Sequence, residues 1–276
     1  MKSIKLLRNE LAQRLEQEGV ENSRAESDWI ICRALGFNQT QLLTADSVPD
    51  SRVNEIENLI QRRLDGEPIQ YILGEWDFCD LSFYVGEGVL IPRPETELIV
   101  ERTVEFFADH PAPVILDLCA GSGCIGLSIA KRLPLSTVFL IEKSPVAMDY
   151  IKRNKERHKL RNCVLMQTDV LEEQPSKFLS VSAIVSNPPY IPKGELKTLQ
   201  REVQREPEMA LDGGDDGLVF YSAIAEFWSH GVKDILLLEL GDGQYDAVAP
   251  LFISAGFEVS SLLDNAGHQR VLQAMR

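Results

Sequence analysis

The residues best suited to chemistry are an asparagine, two prolines and a tyrosine at positions 187–190. They end an apolar run with strand character, and the prolines stop that strand because they fix φ and carry no N–H. The Asn187 side-chain oxygen and the Pro188 carbonyl are then two acceptors on a stiff backbone. Such a pair can hold both hydrogens of a planar NH2 group, with Tyr190 lying flat against it. The stretch therefore indicates a site that aims an amide or exocyclic base nitrogen at an electrophile. For the tetrapeptide alone, a tight turn is the alternative.

A glycine-rich loop lies upstream, after a predicted apolar strand at residues 114–118. The motif G-x-G-x-x-G begins at Gly121 and leads into a helical run, which is typical of the first unit of a nucleotide-binding α/β domain. The next strand ends in Glu142, about 20 residues beyond the glycines, where a carboxylate can accept both hydroxyls of a ribose. A solvated strand end is the alternative for this residue. Asp169 ends another strand on the same rim and can accept a hydrogen bond from an adenine amino group.

The elements that must position these residues fall into three stretches. Residues 1–68 contain helical repeats of apolar side chains, beginning at Ile4, and predict a small helical bundle. Residues 69–92 contain short β-like runs and predict a hairpin linker between two domains. Residues 93–276 alternate strands with helices, which predicts an α/β domain of the nucleotide-binding type. The bundle is either a folding cap or a docking module, and its pattern leaves both open.

The composition is that of an ordinary globular protein of 276 residues, 44% hydrophobic and 25% charged. A net charge of -14 argues against a broad phosphate-binding surface, so a protein or small-molecule substrate fits better than nucleic acid. The five cysteines lack C-x-x-C spacing, which predicts neither disulfides nor a metal site and favours a reduced, cytoplasmic chain. No apolar run approaches ~18 residues, and the N-terminus leads into an amphipathic pattern, so we expect neither a membrane span nor export.

Together the motifs resemble those of the HemK/PrmC family, the N5-glutamine methyltransferases of bacterial peptide-chain release factors. The resemblance covers most of the chain, through residues 91–97, 117–123, 187–191, 206–211 and 238–241. It implies a Rossmann-like S-adenosylmethionine-dependent methyltransferase domain. It also implies methyl transfer to the side-chain amide nitrogen of a glutamine in the Gly-Gly-Gln loop of a release factor, with S-adenosylhomocysteine as the product.

The resemblance further implies roles for individual residues. The donor-binding residues that it implies are Ala120, Gly121, Ser122, Gly123, Cys124, Glu142, Asp169, Val170 and Asn187. The substrate-binding residues that it implies are Asn187, Pro188, Pro189 and Tyr190, of which Asn187, Pro188 and Tyr190 are catalytic. In this assignment Glu142 holds the ribose, while Asp169 and Val170 flank the adenine. Cys119-Ala120 stands where the family more often has Gly-Thr, and Glu142 stands where Asp is common.

Several alternatives remain open. The N-terminal helices resemble the family's substrate-docking bundle, which favours a release factor over a ribosomal protein, the substrate of a sister branch. Asn-Pro-Pro-Tyr also occurs in enzymes that methylate nucleic-acid amino groups, which the acidic charge opposes. A nicotinamide oxidoreductase is opposed by the context of this motif, and a non-catalytic S-adenosylmethionine-binding scaffold by the intact Asn187 and Tyr190. We expect a monomer that modifies release factors and binds no nucleic acid stably.

Overall fold

The computed structural model describes residues 1–172 and 180–276, and the chain divides into two compact units. One unit comprises Met1–Glu75 together with Gln200–Arg205, and the other comprises Trp76–Leu199 together with Glu206–Arg276. The division falls after Glu75, so the predicted boundary at residue 68 is placed too early. The sequence pattern also missed the second segment of the smaller unit, because a short polar stretch carries no signal of its distant partner.

The smaller unit is helical, as the apolar periodicity predicts. Its helices are α1 (Ile4–Gln17), α2 (Ser23–Leu35), α3 (Gln39–Thr44), α4 (Asp50–Leu64) and α5 (Ile69–Leu73). A short antiparallel pair, β1 (Lys2–Ser3) and β2 (Ser47–Val48), joins the segment before α1 to the connection between α3 and α4. Helix α1 buries Ile4, Leu7, Leu11 and Leu15, which recur at the spacing of one helical face.

A buried ion pair links α2 to α4 within this unit. Arg63 Nε lies 2.5 Å from Glu26 Oε2, and Arg63 Nη2 lies 3.2 Å from Glu26 Oε1. Arg63 also lies 2.7 Å from Glu202 Oε1, which belongs to the unit's second segment. Arg201 of the same segment donates to the Leu64 carbonyl at 3.2 Å. The segment therefore completes the unit at the end of α4.

The predicted linker over residues 69–92 is not one element. It contains helix α5, then a hairpin of β3 (Glu75–Phe78) and β4 (Leu81–Tyr84), and finally irregular chain that leads toward α6 (Glu97–Phe106). The predicted hairpin is confirmed but is shorter than the predicted linker. The irregular chain after it belongs to the larger unit.

The larger unit is built on a seven-stranded sheet. Its strands are β5 (Val114–Leu118), β6 (Thr137–Glu142), β7 (Cys163–Gln167), β8 (Val181–Ser186), β9 (Val232–Glu239), β10 (Glu258–Leu263) and β11 (Gln269–Met275). Their order across the sheet is β10-β11-β9-β8-β5-β6-β7. Neighbours from β7 to β9 are parallel, whereas β11 runs antiparallel to both β9 and β10. The predicted Rossmann-like α/β class is confirmed.

Helices cover both faces of this sheet, which explains why its strands are apolar on both sides. The helices are α6, α7 (Cys124–Arg132), α8 (Pro145–Arg157), α9 (Val219–Ala223) and α10 (Tyr245–Ser254). Ile115 packs in the cluster with α6, α7 and α8, and its neighbour Leu116 packs in the cluster with α9 and α10. Among the described residues, no helix is both long and apolar enough to cross a bilayer.

The topology brings the predicted motifs to one edge of the sheet. Strands β6 and β7 lie on one side of β5, and strands β8 and β9 lie on the other side. Parallel strands end at a common edge, and ligands of open α/β sheets bind where the strand order reverses. The glycine-rich loop after β5 and the Asn-Pro-Pro-Tyr stretch after β8 are therefore neighbours at the reversal.

Gly126 of α7 allows that helix to approach β5 closely. Its N–H donates to Asp117 Oδ2 at 2.8 Å, and an added Cβ would lie 2.7 Å from the same oxygen and 3.1 Å from Leu140 Cγ. We expect Gly126→Ala to lower the free energy of unfolding in urea by about 1–3 kcal/mol, because the buried site has no room for a methyl group.

Gly194→Ala is the matched control, because a Cβ there would meet no atom within 4 Å. Its unfolding free energy should stay within about 0.5 kcal/mol of the parent protein. Equal stabilities for the two variants would contradict the close approach at Gly126.

Candidate active site

A cavity of about 360 Å³ lies at the carboxyl ends of the parallel strands, within the larger unit. The predicted site residues that line it are Ala120, Gly121, Ser122, Cys124, Glu142, Asp169, Val170, Asn187 and Pro189. Both halves of the predicted site, the proposed donor residues and Asn187, therefore face one space. The predicted residues Gly123, Pro188 and Tyr190 are not among the lining residues.

Glu142, at the end of β6, holds the glycine-rich loop in place. Its Oε2 accepts a hydrogen bond from Gly121 N at 2.8 Å, and its Oε1 accepts one from Ser144 N at 2.7 Å. The residue is only 9% exposed, so the alternative of a solvated strand end is wrong. Each carboxylate oxygen has a second acceptor site, so Glu142 can still accept hydrogen bonds from a ligand.

Gly123 supports the loop through packing. It has a φ of 80° at the start of α7, in the left-handed region that glycine tolerates. A Cβ at this position would lie 3.0 Å from Leu127 Cδ1 and 3.2 Å from Leu140 Cδ2. The G-x-G-x-x-G pattern correctly located the loop, but a pattern cannot separate a glycine that faces a ligand from one that faces the core.

Asp117 lies beneath the same loop, at the carboxyl end of β5. It is fully buried, and its Oδ1 has no hydrogen-bond partner within residues 1–172 and 180–276. Burial raises the pKa of Asp117 to about 8 against the lowering effect of the Gly126 N–H bond, and the charge of Glu142 adds to the rise. The carboxyl is therefore mostly protonated at neutral pH, which avoids an unpaired charge in the core.

Asp169 and Val170 form another part of the cavity wall. Asp169 Oδ2 lies 2.5 Å from Lys143 Nζ, and its Oδ1 accepts a hydrogen bond from Leu171 N at 2.9 Å. Val170 is buried, and its carbonyl accepts from Trp228 Nε1 at 3.0 Å. Sequence reasoning did not include Lys143 in the site. Its position directly after Glu142, at the end of β6, could have indicated that it lies beside the cavity. The contact of Asp169 with an adenine stays a prediction.

Asn187 and Tyr190 are held from behind by side chains of other elements. Asn187 Nδ2 donates to Thr96 Oγ1 at 3.3 Å, and the Tyr190 hydroxyl donates to Glu239 Oε1 at 3.3 Å. The Tyr190 carbonyl accepts from Gln244 Nε2 at 2.9 Å. Burial, with the nearby charge of Glu239, raises the pKa of Tyr190 well above its usual range, so the phenol stays neutral. Stacking of this ring on a substrate amide stays a prediction.

Glu206 joins two loops that close the cavity. Its buried carboxylate accepts a hydrogen bond from Ile91 N at 2.9 Å and forms an ion pair with Arg93. Both loops contribute lining residues, including Pro92 and Met209. The sequence carried a signal for these loops, since residues 91–97 and 206–211 are motifs of the resemblance, but it did not indicate that they contact each other. Lining residues that lie outside these motifs and that sequence reasoning missed include Val89, Ser144, Ala147 and Phe220.

Comparisons with known proteins agree with this architecture. The family model for the methyltransferase small domain matches residues 96–223, and the model for the PrmC N-terminal domain matches residues 7–74. The hMettl16 catalytic domain has a similar fold, with a TM-score of 0.56 and 13% identity over 83% of each chain. The T. thermophilus 16S rRNA methyltransferase RsmC, solved with AdoMet and guanosine, has a TM-score of 0.50 and 19% identity, covering 73% of this chain and 49% of its own. The fold and the family models together define a methyltransferase.

Curated relatives narrow this class to one family. A protein of Thermodesulfovibrio yellowstonii is 39% identical over 90% of each chain, and one of Geobacter sulfurreducens is 42% identical over 88% of this chain and 86% of its own. One of Aquifex aeolicus is 32% identical over 97% of this chain and 95% of its own. All three are named release factor glutamine methyltransferases, and this chain belongs to their family.

The double hydrogen bonding of Glu142 leads to a stability prediction. We expect Glu142→Ala to lower the free energy of unfolding by about 2–4 kcal/mol, because two backbone N–H groups lose a charged acceptor. Chemical denaturation followed by circular dichroism measures this loss. Glu156→Ala, at an exposed position of α8, is the control and should change stability by less than about 0.5 kcal/mol. A Glu142→Ala variant as stable as this control would show that the two bonds do not hold the loop.

Proposed function

We propose that this protein transfers a methyl group from S-adenosylmethionine to the side-chain amide nitrogen of a glutamine in a peptide-chain release factor. The observation that carries the proposal is the shared cavity, which is lined by the glycine-rich loop with Glu142 and also by Asn187. The names of the curated relatives support the choice of a release factor as substrate. Methylation of a glutamine in a Gly-Gly-Gln loop is the specific form of this proposal.

The residues of the cavity fit the proposed donor. The volume of the cavity falls within the range of about 300–1,000 Å³ that is usual for small-molecule sites. Most of the cavity lining is apolar, as an adenine requires. Glu142 is anchored by two N–H groups and retains free acceptor sites for ribose hydroxyls. Asp169 and Val170 would flank the adenine, and the backbone of residues 120–124 would line the methionine part. When bound, S-adenosylmethionine supplies an electrophilic methyl group.

At the acceptor, the residues of this chain provide orientation. The Asn187 Oδ1 atom and the carbonyl of residue 188 would accept the two hydrogens of the glutamine NH2 group. An amide nitrogen is a poor nucleophile while its lone pair is shared with its carbonyl, so two fixed acceptors localise that lone pair and direct it toward the donor side of the cavity. A base is not needed at the outset, because the nitrogen becomes acidic as the new bond forms and loses its proton afterwards.

Incubation of the purified protein with methyl-labelled S-adenosylmethionine tests the proposed function directly. Separate reactions should contain an intact release factor, the same factor with its loop glutamine changed to alanine, ribosomal proteins and RNA. We expect label only in the intact release factor, at the glutamine side chain. Label in RNA or in a ribosomal protein, with none in the release factor, would overturn the proposal.

Asn187→Ala tests the role of the acceptor directly. It removes one oriented acceptor and leaves the scaffold, so we expect the single-turnover rate at saturating donor to fall on the order of 100-fold. Donor affinity, measured by calorimetry, should change much less. Asn265→Ala is the control, since this asparagine is exposed in the turn between β10 and β11. Equal rates for both variants would remove Asn187 from the reaction.

We propose in addition that the smaller unit docks the protein substrate. Leu6 and Leu43 are large apolar side chains of this unit that are mostly exposed, and Leu135 is similarly exposed in the larger unit. Leu6→Ser or Leu43→Ser should lower kcat/KM for an intact release factor about fivefold, since an apolar interface contact contributes about 1 kcal/mol. Values for a short glutamine peptide should not change. Leu135→Ser is the matched control, and equal kcat/KM values for all three variants would contradict docking by this unit.

A further inference from the structure

Two buried side chains, Thr96 and Glu239, form a hydrogen-bonded chain behind the amide of Asn187. Each is 2% exposed, and Glu239 is the last residue of β9. The Thr96 hydroxyl donates to Glu239 Oε2 at 2.5 Å, while Thr96 Oγ1 accepts from Asn187 Nδ2 at 3.3 Å. The second carboxylate oxygen of Glu239 accepts from the Tyr190 hydroxyl at 3.3 Å. One carboxylate therefore connects to both polar side chains of the Asn-Pro-Pro-Tyr stretch.

Which group donates in each of these hydrogen bonds follows from the number of protons available. An ionised carboxylate can only accept hydrogen bonds, and a threonine hydroxyl has a single proton to donate. Because Thr96 gives its proton to Glu239, its oxygen is left only as an acceptor toward Asn187. The asparagine must then turn its NH2 group to Thr96, which leaves Oδ1 as the atom available to a ligand.

We propose that Glu239, acting through Thr96, sets which way the Asn187 amide faces and thereby makes Asn187 an acceptor for the substrate NH2 group. Glu239 and Thr96 are positioning residues, and their role rests on the proposed glutamine methyl transfer. Without a fixed direction, an asparagine amide can rotate by half a turn at little steric cost. Its NH2 group would then oppose the NH2 group of the substrate, and both would be donors.

A separate contact holds the backbone of the same stretch. Gln244 Nε2 donates to the Tyr190 carbonyl at 2.9 Å, and Gln244 Oε1 accepts from Gly241 N at 2.9 Å. This anchor does not involve the side chain of Glu239. A change at Glu239 that preserves its volume should therefore affect the Asn187 amide while the course of the chain through residues 187–190 is maintained.

The environment of Glu239 makes the direction of the hydrogen bonds from Glu239 through Thr96 to Asn187 sensitive to pH. The charged and titratable groups that face it are Arg270 of β11, Glu95, Tyr190 and Tyr221, whose hydroxyl donates to the Glu239 carbonyl at 2.8 Å. Burial raises the pKa of Glu239 to about 7, against the lowering effects of the Thr96 bond, the Arg270 charge and the Tyr190 bond. As the pH falls through 7, the carboxyl gains a proton and can donate to Thr96. The Thr96 proton is then free to point at Asn187, and kcat should fall.

Glu239→Gln is the principal test, because it preserves shape and replaces an obligate acceptor with a group that can also donate. With wild-type protein active on a release factor, we expect kcat to fall about 10-fold or more, with donor affinity and the KM for the release factor little changed. The loss of activity around pH 7 should disappear in this variant. A kcat within twofold of wild type, with the same pH profile, would overturn the inference.

Substitutions at Thr96 keep the test decisive if Glu239→Gln fails to fold. Thr96→Val has nearly the same shape without the hydroxyl and should lose as much activity as Glu239→Gln. Thr96→Ser keeps the hydroxyl, which both donates and accepts here, so its activity should remain within about threefold of wild type. Equal activities for the valine and serine variants would contradict a role for the hydroxyl.

A double-mutant cycle separates positioning from general structural damage. If Glu239 acts through Asn187, then Glu239→Gln should cause no further loss of kcat in an Asn187→Ala protein. Losses that multiply would overturn the inference, because they would show that Glu239 acts independently of Asn187.

An NMR measurement needs no substrate and so separates this inference from the proposed function. The Asn187 side-chain NH2 signal is assigned by its absence in Asn187→Ala. In wild type its exchange with solvent should be slowed by the Thr96 contact, and Glu239→Gln should remove that protection. Unchanged protection would overturn the inference, whereas a wild-type protein that shows the expected protection but methylates no release factor would overturn only the proposed function.

Discussion

The hydrogen bonds that Glu142 accepts from two backbone N–H groups are the constraint on which the site depends. They join the loop after β5 to the turn after β6. The sheet makes this possible, because Leu118 and Ile141 are paired in register and the two strands end side by side. A glycine-rich loop has few conformational restraints of its own, so a charged acceptor between two amides decides its position. The cavity is the space that remains above this fixed loop.

Buried and half-buried carboxylates serve the same purpose elsewhere in the larger unit. Glu206 accepts from Ile91 N, and Glu97 accepts from Cys79 N at 2.8 Å. The Ile91 amide lies in irregular chain and the Cys79 amide in the turn between β3 and β4, so neither belongs to a strand or a helix, and an unpaired buried N–H is costly. Part of the acidic excess of this chain is therefore used to fix loops. The net charge of -14 therefore includes carboxylates that do not face solvent.

Local patterns were enough to predict the α/β class, the ends of several strands and nine of the 31 residues that line the cavity. They succeed because alternating apolar runs and parallel strands place all strand ends at one edge. They were not enough to find the contact between Asn187 and Thr96, which are 91 residues apart, or to separate Gly123, which packs on the core, from Gly121. The choice of a distant hydrogen-bond partner is set by three-dimensional packing, and no local spacing records it.

The two-segment composition of the smaller unit has a consequence for synthesis on the ribosome. Arg201, which contacts the Leu64 carbonyl, follows it by 137 residues. Helices α1 to α5 leave the ribosome before the strands of the sheet, yet Arg63 lacks its second partner, Glu202, until strand β8 has been made. The smaller unit thus emerges before the sheet but is completed after much of it. A cut after residue 75 therefore does not excise a whole module, and a transplanted N-terminal piece would carry an unfinished surface at the end of α4.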